Sequence, residues 1–356
     1  MPSKKIVVGM SGGVDSSMAM LILKKQGWEP IGVSLKLEKW ESECNTYSEN
    51  VCCSEQSFAL SRKICDKIGA EYHIYDVGEE FEKEIIDYFG SQLKKGRTPN
   101  PCLMCNRKIK YTKLIDWAKK NGIKYVATGH YGQIKKKENK KYALFRASDL
   151  SKDQTYGLCM LKQEQLSRMV LPLAPYTKTQ VYEMAKKEGF DFFLKTKQSQ
   201  DLCFVSSKSL RAFIEEKVGK REGVVVDLSG KPLGVHKGLH FFTMGQKCGI
   251  SGGTAYYVAG FDKEKNLLIA TSNRADLMQK EILLENVNFL SGEIPEKEIC
   301  VDAKIRHGPA LEKAILLPLK NNMAKVIFEN PAYAPMQGQF CAFYSGDECL
   351  GGGEIC

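Results

Sequence analysis

The chain of 356 residues has no apolar run approaching about 18 residues, which excludes a membrane-spanning helix. The N-terminus, Met-Pro-Ser-Lys-Lys-Ile-Val-Val-Gly-Met, lacks a secretory h-region and a cleavage site, so a cytoplasmic location and no membrane partner are expected. Gly-Lys-Ser/Thr is absent, which excludes a P-loop of the NTPase kind. No second Cys-x-x-Cys completes a zinc knuckle, and there is neither an internal repeat nor a low-complexity tract. What is present is ordinary globular usage, 43% hydrophobic and 26% charged, in a length that suits two to three domains. The net charge of +10 favours a polyanionic partner. Thirteen cysteines, an odd number without a signal peptide, argue against a disulfide scaffold and point to metal, cluster or thiol chemistry for a few of them.

Periodicity divides the chain in three. Over 1–215, β-branched runs alternate with helix-length segments. Strands are expected at Ile6–Met10, Pro30–Leu35, Glu71–Val77 and Tyr125–Gly129, with helices at Ser16–Gln26, Ser54–Gly69, Phe81–Lys95 and Tyr111–Asn121. That rhythm predicts a doubly wound parallel α/β sheet, with the loops after Met10, around Leu35 and at Gly129-His130 meeting on one edge. The run Lys135–Lys141 reads as a solvated hairpin tip. A small β-rich unit is expected over 216–280, with a strand at Leu239–Thr243 among others, and a C-terminal β-barrel over 281–356.

Two segments carry chemistry. Ser11-Gly12-Gly13-Val14-Asp15-Ser16-Ser17 joins the first strand to the first helix. Adjacent glycines let backbone N–H groups approach an anion, and the helix N-terminus adds unsatisfied donors. Asp15 is expected to cap that helix or to hold magnesium through water. In Thr98-Pro99-Asn100-Pro101-Cys102-Leu103-Met104-Cys105, two prolines are expected to keep the loop extended and out of a helix, presenting Cys102 and Cys105. Cys203 lies in Asp201-Leu202-Cys203-Phe204. Cys52 and Cys53, adjacent in sequence, would point apart in a strand and make a poor pair of metal ligands, and Cys44, Cys65, Cys159, Cys248, Cys300, Cys341, Cys349 and Cys356 are assigned to packing or surface.

Ser-Gly-Gly-Val-Asp-Ser resembles the pyrophosphate (PP) loop of the ATP pyrophosphatases, which cleave ATP to AMP and pyrophosphate. Further motifs follow in order: Thr-Pro-Asn-Pro-x-x-x-Cys-Asn, Ala-Thr-Gly-His-Tyr at 127–131, Ser-Lys-Asp-Gln at 151–154, Asp-Leu-Cys-Phe at 201–204, Gly-Gln-Lys at 245–247 and Cys-Leu-Gly-Gly-Gly at 349–353. Together they resemble the bacterial tRNA-specific 2-thiouridylases, over essentially the whole chain. The resemblance implies an adenine-nucleotide alpha-hydrolase-like first domain and ATP with magnesium as cosubstrate. It places the phosphates on Gly9, Met10, Ser11, Gly12, Gly13, Val14, Asp15 and Ser16, and adenosine on Leu35 and Gly129. It makes Cys203 the persulfide carrier and Cys105 the second thiol, joined in a transient disulfide. It puts tRNA against Asn100, Pro101, Cys102, His130, Lys152, Asp153, Gln154, Arg306, His307 and Gln339. A cysteine desulfurase or sulfur-relay protein is the implied donor. Relatives often carry Asp where this chain has Cys102, so Cys102, Cys105 and Cys203 could instead hold a four-iron cluster bearing sulfide. Two competing readings stand beside these. One is another ATP pyrophosphatase acting on a small molecule, although no glutaminase domain is present; the other is a non-enzymatic RNA-binding or iron–sulfur sensor protein.

Overall fold

The structure, a computed structural model, describes residues 4–43, 45, 54–195, 202–250, 253–308 and 311–356. Cys44, Cys52, Cys53 and Asp201 lie outside the described residues.

Alternation along the first strand builds the first layer. In β1 (Lys5–Gly9), Ile6 and Val8 face one side and Val7 the other, and all three are fully buried. Ile6 and Val8 pack with Met18, Ile22, Cys65 and Val181, while Val7 packs with Tyr111, Leu114 and Ala118. A strand covered on both faces belongs in a parallel sheet. Burying each aliphatic side chain there is worth about 1.5–3 kcal/mol. β2 (Glu29–Lys36), β3 (Tyr72–Asp76), β4 (Tyr125–Ala127) and a later strand at Met169–Val170 complete that sheet. The spatial order is β3, β2, β1, β4, then Met169–Val170, all parallel. Strand order reverses between β1 and β4, so the C-terminal ends of those two strands border the crevice where such sheets bind ligands. The doubly wound expectation for this part is met.

The lysine-rich hairpin does more than face solvent. β5 (Gln133–Lys136) and β6 (Tyr142–Phe145) flank its tip, and β6 pairs antiparallel with the last strand of the C-terminal barrel. Numbering the strand Met169–Val170 as β7, the central unit is a four-stranded sheet. Its strands are β8 (Gly223–Asp227), β9 (Pro232–His236), β10 (Tyr257–Asp262) and β11 (Leu267–Thr271), in the order β10-β11-β8-β9. The strand expected at Leu239–Thr243 is instead a 3-10 turn over Leu239–Phe241. Gly238, at φ +150°, turns the chain, and Leu239 and Phe242 tuck into the small core of this sheet.

The barrel consists of β12 (Met278–Phe289), β13 (Ile299–Lys304), β14 (Glu312–Leu319), β15 (Met323–Tyr333), β16 (Phe340–Ser345) and β17 (Glu348–Ile355). Its order is β12-β15-β14-β13-β16-β17, closed by pairing of β12 with β17. β17 contains Gly351, Gly352 and Gly353, and although β structure is expected to the end of the chain, no strand was named there; glycine by itself weakens strands. Packing specifies it. A Cβ on Gly352 would lie 2.6 Å from Cys159 Sγ and 3.0 Å from Cys341 O. The missing side chain lets the barrel seat directly on the first domain.

Candidate active site at the sheet switch point

The glycine loop leaves β1 with Met10 N–H donating to Val33 O at 2.9 Å. Gly13 is the N-cap of the helix Val14–Lys25, and no side chain caps it. Asp15 is therefore not the cap, contrary to expectation; it lies in the first turn. The serines brace the loop from within. Ser16 and Ser17 hydroxyls donate to Gly13 O at 3.0 and 2.8 Å, and Ser11 N–H donates to Ser16 Oγ at 3.2 Å. Gly12 adopts φ +74° against Ser57. This leaves a rigid concave run ending at an uncapped helix N-terminus, the arrangement that suits a phosphate.

Gly129 closes the other wall. A Cβ there would lie 2.6 Å from both the Asp15 carbonyl carbon and the Ser16 nitrogen, so the turn after β4 touches the backbone of the first helical turn that ends the loop. Next to it, His130 Nδ1 lies 2.8 Å from the Thr128 hydroxyl and 3.0 Å from the Tyr111 hydroxyl. Burial, aided by the nearby Lys110 charge, pulls the His130 pKa from 6.5 down to about 3, so the ring is neutral at working pH. The sign follows. The unfolded chain binds the extra proton below about 6.5 and the folded chain does not, so His130 contributes stability above that pH and loses it as pH falls toward 3. Urea denaturation should show wild-type stability falling across that window, and His130→Gln should fall less steeply. Equal slopes would contradict a neutral His130.

Asp15 is the electrostatic centre. Its Oδ1 accepts from Lys178 Nζ at 2.6 Å and from the Tyr131 hydroxyl at 2.8 Å, and its Oδ2 accepts from Lys178 Nζ at 2.7 Å. Sequence reasoning missed Lys178 and set Tyr131 toward the tRNA or the base, whereas its hydroxyl donates to Asp15. The available signal was Thr177-Lys178-Thr179-Gln180, a capping box opening the helix Lys178–Lys187.

Two of the thiols rest on an apolar cluster that Leu35 of β2 also joins. The segment expected to be an extended loop is a helix, Pro101–Cys105, running on through a π-turn over Asn106–Lys110. The correction has a simple cause. Pro101 occupies the first helical position, where its missing N–H costs nothing, and Asn100 Oδ1 caps by accepting from Cys102 N–H at 3.2 Å. Cys105 is 3% exposed and joins Ile109, Phe204 and Val205 in one apolar cluster. Leu35 and Cys203 pack against the same cluster, and Trp40 N–H donates to Phe204 O at 3.1 Å, tying the Cys203 segment to the chain beyond β2. Leu35 also contacts the core under the sheet, so it stands where the two regions join. Cys102 is exposed.

The residues expected to meet tRNA divide. Lys152 and His307 are exposed, and the His307 ring lies 6.4 Å from that of Tyr156. Arg306 lies over Tyr333 at 5.7 Å. The Asp153 side chain is turned inward. It is 5% exposed and accepts from the Thr155 hydroxyl at 2.7 Å and from Ala147 N–H at 3.1 Å. Gln154 Oε1 accepts from Tyr131 N–H at 2.8 Å. Gln339 Nε2 donates to Thr98 O at 2.8 Å, so a barrel side chain anchors the strand of chain leading to Asn100, Pro101 and the cysteines.

A cluster does not fit the donor set as placed. Among the described residues, no three His, Cys, Asp or Glu side chains are grouped to hold a metal ion, and Cys102 faces solvent while Cys105 is buried. Among the same residues, no helix is long and apolar enough to cross a membrane.

Three family models match in series: the tRNA methyl transferase HUP domain over 4–207, the tRNA methyl transferase PRC-barrel domain over 211–272 and the aminomethyltransferase beta-barrel domain over 279–355. A tRNA-specific 2-thiouridylase MnmA 2 of Clostridium tetani is 39% identical, over 99% of this chain and 98% of its own. A tRNA-specific 2-thiouridylase MnmA of Acetivibrio thermocellus is 38% identical, over 100% of both chains. A solved 4-thiouridine synthetase–RNA complex with bound ATP is 19% identical at a TM-score of 0.39, over 60% of this chain and 50% of that one, too slight a likeness to bear on the reaction. With relatives of this identity matching end to end, the chain belongs to the family of tRNA-specific 2-thiouridylases.

Proposed function

We propose that this chain is an ATP-dependent tRNA sulfurtransferase that converts the wobble uridine of tRNA to 2-thiouridine. The observation that carries the reading is that β2 links the two parts: Val33 accepts from Met10 N–H at the start of the uncapped phosphate-type loop, and Leu35, two residues on, packs against the apolar cluster on which Cys105 and Cys203 both rest. Units of 1–215, 216–280 and 281–356 form the working division of the chain.

A uracil carbonyl oxygen is a poor leaving group, so it must first be activated. With ATP on the loop, its adenosine toward Leu35 and Gly129, uracil O2 attacks the α-phosphorus. The bond to the β-phosphate oxygen breaks, pyrophosphate leaves with the electron pair, and the N3 proton is lost. Helix N–H groups favour the charge that develops. The terminal sulfur of a Cys203 persulfide then attacks C2 and AMP leaves with the former carbonyl oxygen. Cys105 thiolate attacks Cys203 Sγ, closing a Cys105–Cys203 disulfide and leaving sulfur on C2 as N3 regains a proton. An external thiol reductant reopens the disulfide, and a cysteine desulfurase or sulfur-relay protein reloads Cys203. Magnesium would accompany ATP, and no step is routed through it or through a cluster. Lys152, Arg306 and His307 supply RNA-facing charge and edge contacts, and Asn100, Cys102 and His130 line the entrance for a flipped base.

The test is to incubate the protein with ATP, a cysteine desulfurase, cysteine and unmodified tRNA, then digest and look for 2-thiouridine by mass spectrometry. Absence of ATP-dependent product would overturn the proposal. Because Cys102 takes part in no bond-making step, and serine keeps a small polar side chain at the base entrance, Cys102→Ser should keep turnover within about threefold of wild type. A loss of iron and activity together in that variant would restore the cluster.

A further inference from the structure

The placement of Lys178 is electrostatically odd. It is the first residue of the helix Lys178–Lys187, where the positive end of the helix dipole disfavours a cation. Its side chain is only 11% exposed. Yet its backbone is fixed with care. Thr177 Oγ1 accepts from Gln180 N–H at 3.2 Å, Gln180 Oε1 accepts from Thr177 N–H at 2.8 Å, and Asp149 Oδ2 accepts from Lys178 N–H at 3.0 Å. The rings of Tyr131 and Tyr182 flank the ammonium at 5.8 and 5.1 Å. All of this delivers one cation to the Asp15 carboxylate, in the first turn of the helix that follows the phosphate loop.

Charge arithmetic gives the pair a purpose beyond folding. A triphosphate entering the loop meets the Asp15 carboxylate at close range, and that repulsion is large where water is scarce. A cation already paired with the carboxylate cancels it. The flexible four-carbon stem lets the same ammonium turn toward the phosphates without moving its helix. Nothing else in the described contacts of Asp15 brings a positive charge: its other partner is the Tyr131 hydroxyl.

We infer that Lys178 is a catalytic residue of the adenylation step, leaving Asp15 to bind the β- and γ-phosphates and stabilise pyrophosphate as it departs. This rests on the ATP-dependent reading above. In the step itself the electron pair of the breaking α–β bridge goes to the pyrophosphate oxygen, and Lys178 offsets that charge as a hydrogen-bond donor. It gives up no proton.

The experiment compares wild type, Lys178→Met and Lys178→Arg, each checked for folding by thermal denaturation, in single-turnover release of the pyrophosphate group with tRNA and saturating ATP. Removing one donor aimed at developing charge should slow Lys178→Met by roughly 10²–10³-fold. Lys178→Arg, which keeps the charge, should recover a measurable part of the rate. The decisive readout uses ATP analogues bridged between the β- and γ-phosphates by CF2 or CH2, which differ in leaving-group basicity. Their rate ratio should be about tenfold larger in Lys178→Met than in wild type, on the scale of a charge-stabilising contact. An unchanged ratio, or a Lys178→Met rate within a few fold of wild type, overturns the inference. If wild type itself releases no tRNA-dependent pyrophosphate, the functional reading fails instead, and the two failures are distinct.

Discussion

Cys203→Ala and Cys105→Ala should each take 2-thiouridine formation below about 10⁻³ of wild type, while tRNA-dependent release of pyrophosphate continues for a single turnover. The split between the two readouts is the point. On the proposed reading, ATP chemistry takes place at Gly9–Ser16, on the crevice between β1 and β4, and needs no thiol, while sulfur delivery takes place at the cluster shared by Cys105 and Cys203. Neither substitution removes much volume. Cys203 is partly exposed, and Cys105→Ala leaves only a small void in a cluster of phenylalanines, so folding should survive. Mass spectrometry of the variants after incubation with the desulfurase adds a second check. Cys105→Ala should accumulate a persulfide on Cys203, and Cys203→Ala should carry none at position 105. Either variant retaining near-wild-type thiolation would remove the catalytic assignment.

Gly129→Ala should be nearly as damaging, for a reason of space. The new methyl group would sit 2.6 Å from two backbone atoms of Asp15 and Ser16 and 2.8 Å from Asp15 Cβ. No flexible side-chain tip can give way there. Either β4 or the phosphate loop must shift, and overpacking of this kind costs about 1–3 kcal/mol. On the proposed reading the loop geometry sets ATP binding, so nucleotide affinity should drop by roughly 5- to 150-fold, which that energy converts to. Gly234→Ala is the matching control, since a Cβ there meets nothing within 4 Å. Calorimetric titration with a non-hydrolysable ATP analogue checks both. Wild-type affinity in Gly129→Ala would show that β4 does not brace the loop.

Much of this was legible in the residues, and the boundary of legibility is physical. β1 could be read because Ile6-Val7-Val8 is a continuous apolar run ending in glycines, the mark of a strand buried on both faces. Once the parallel sheet follows, the meeting of the Met10, Leu35 and Gly129 loops follows from handedness. The helix Pro101–Cys105 was hidden because two prolines suggest an extended loop, although Asn100-Pro101 is equally a cap followed by a first helical residue. The limits of β17 could not be read because its glycines carry no strand preference; Cys159, from another domain, dictates the size of Gly352. The Asp15–Lys178 pair spans 163 positions and has no local signature. The inward turn of Asp153 is a tertiary fact of the same kind, set by Thr155 and Ala147.

The central claim is that the wobble oxygen leaves on an adenylyl group before sulfur arrives. It is tested most directly with tRNA whose wobble uridine carries oxygen-18 at O2. After one turnover with ATP and the persulfide-loaded enzyme, the account expects the heavy oxygen in AMP, one atom per 2-thiouridine formed. Heavy oxygen in pyrophosphate or water, with unlabelled AMP, would contradict it.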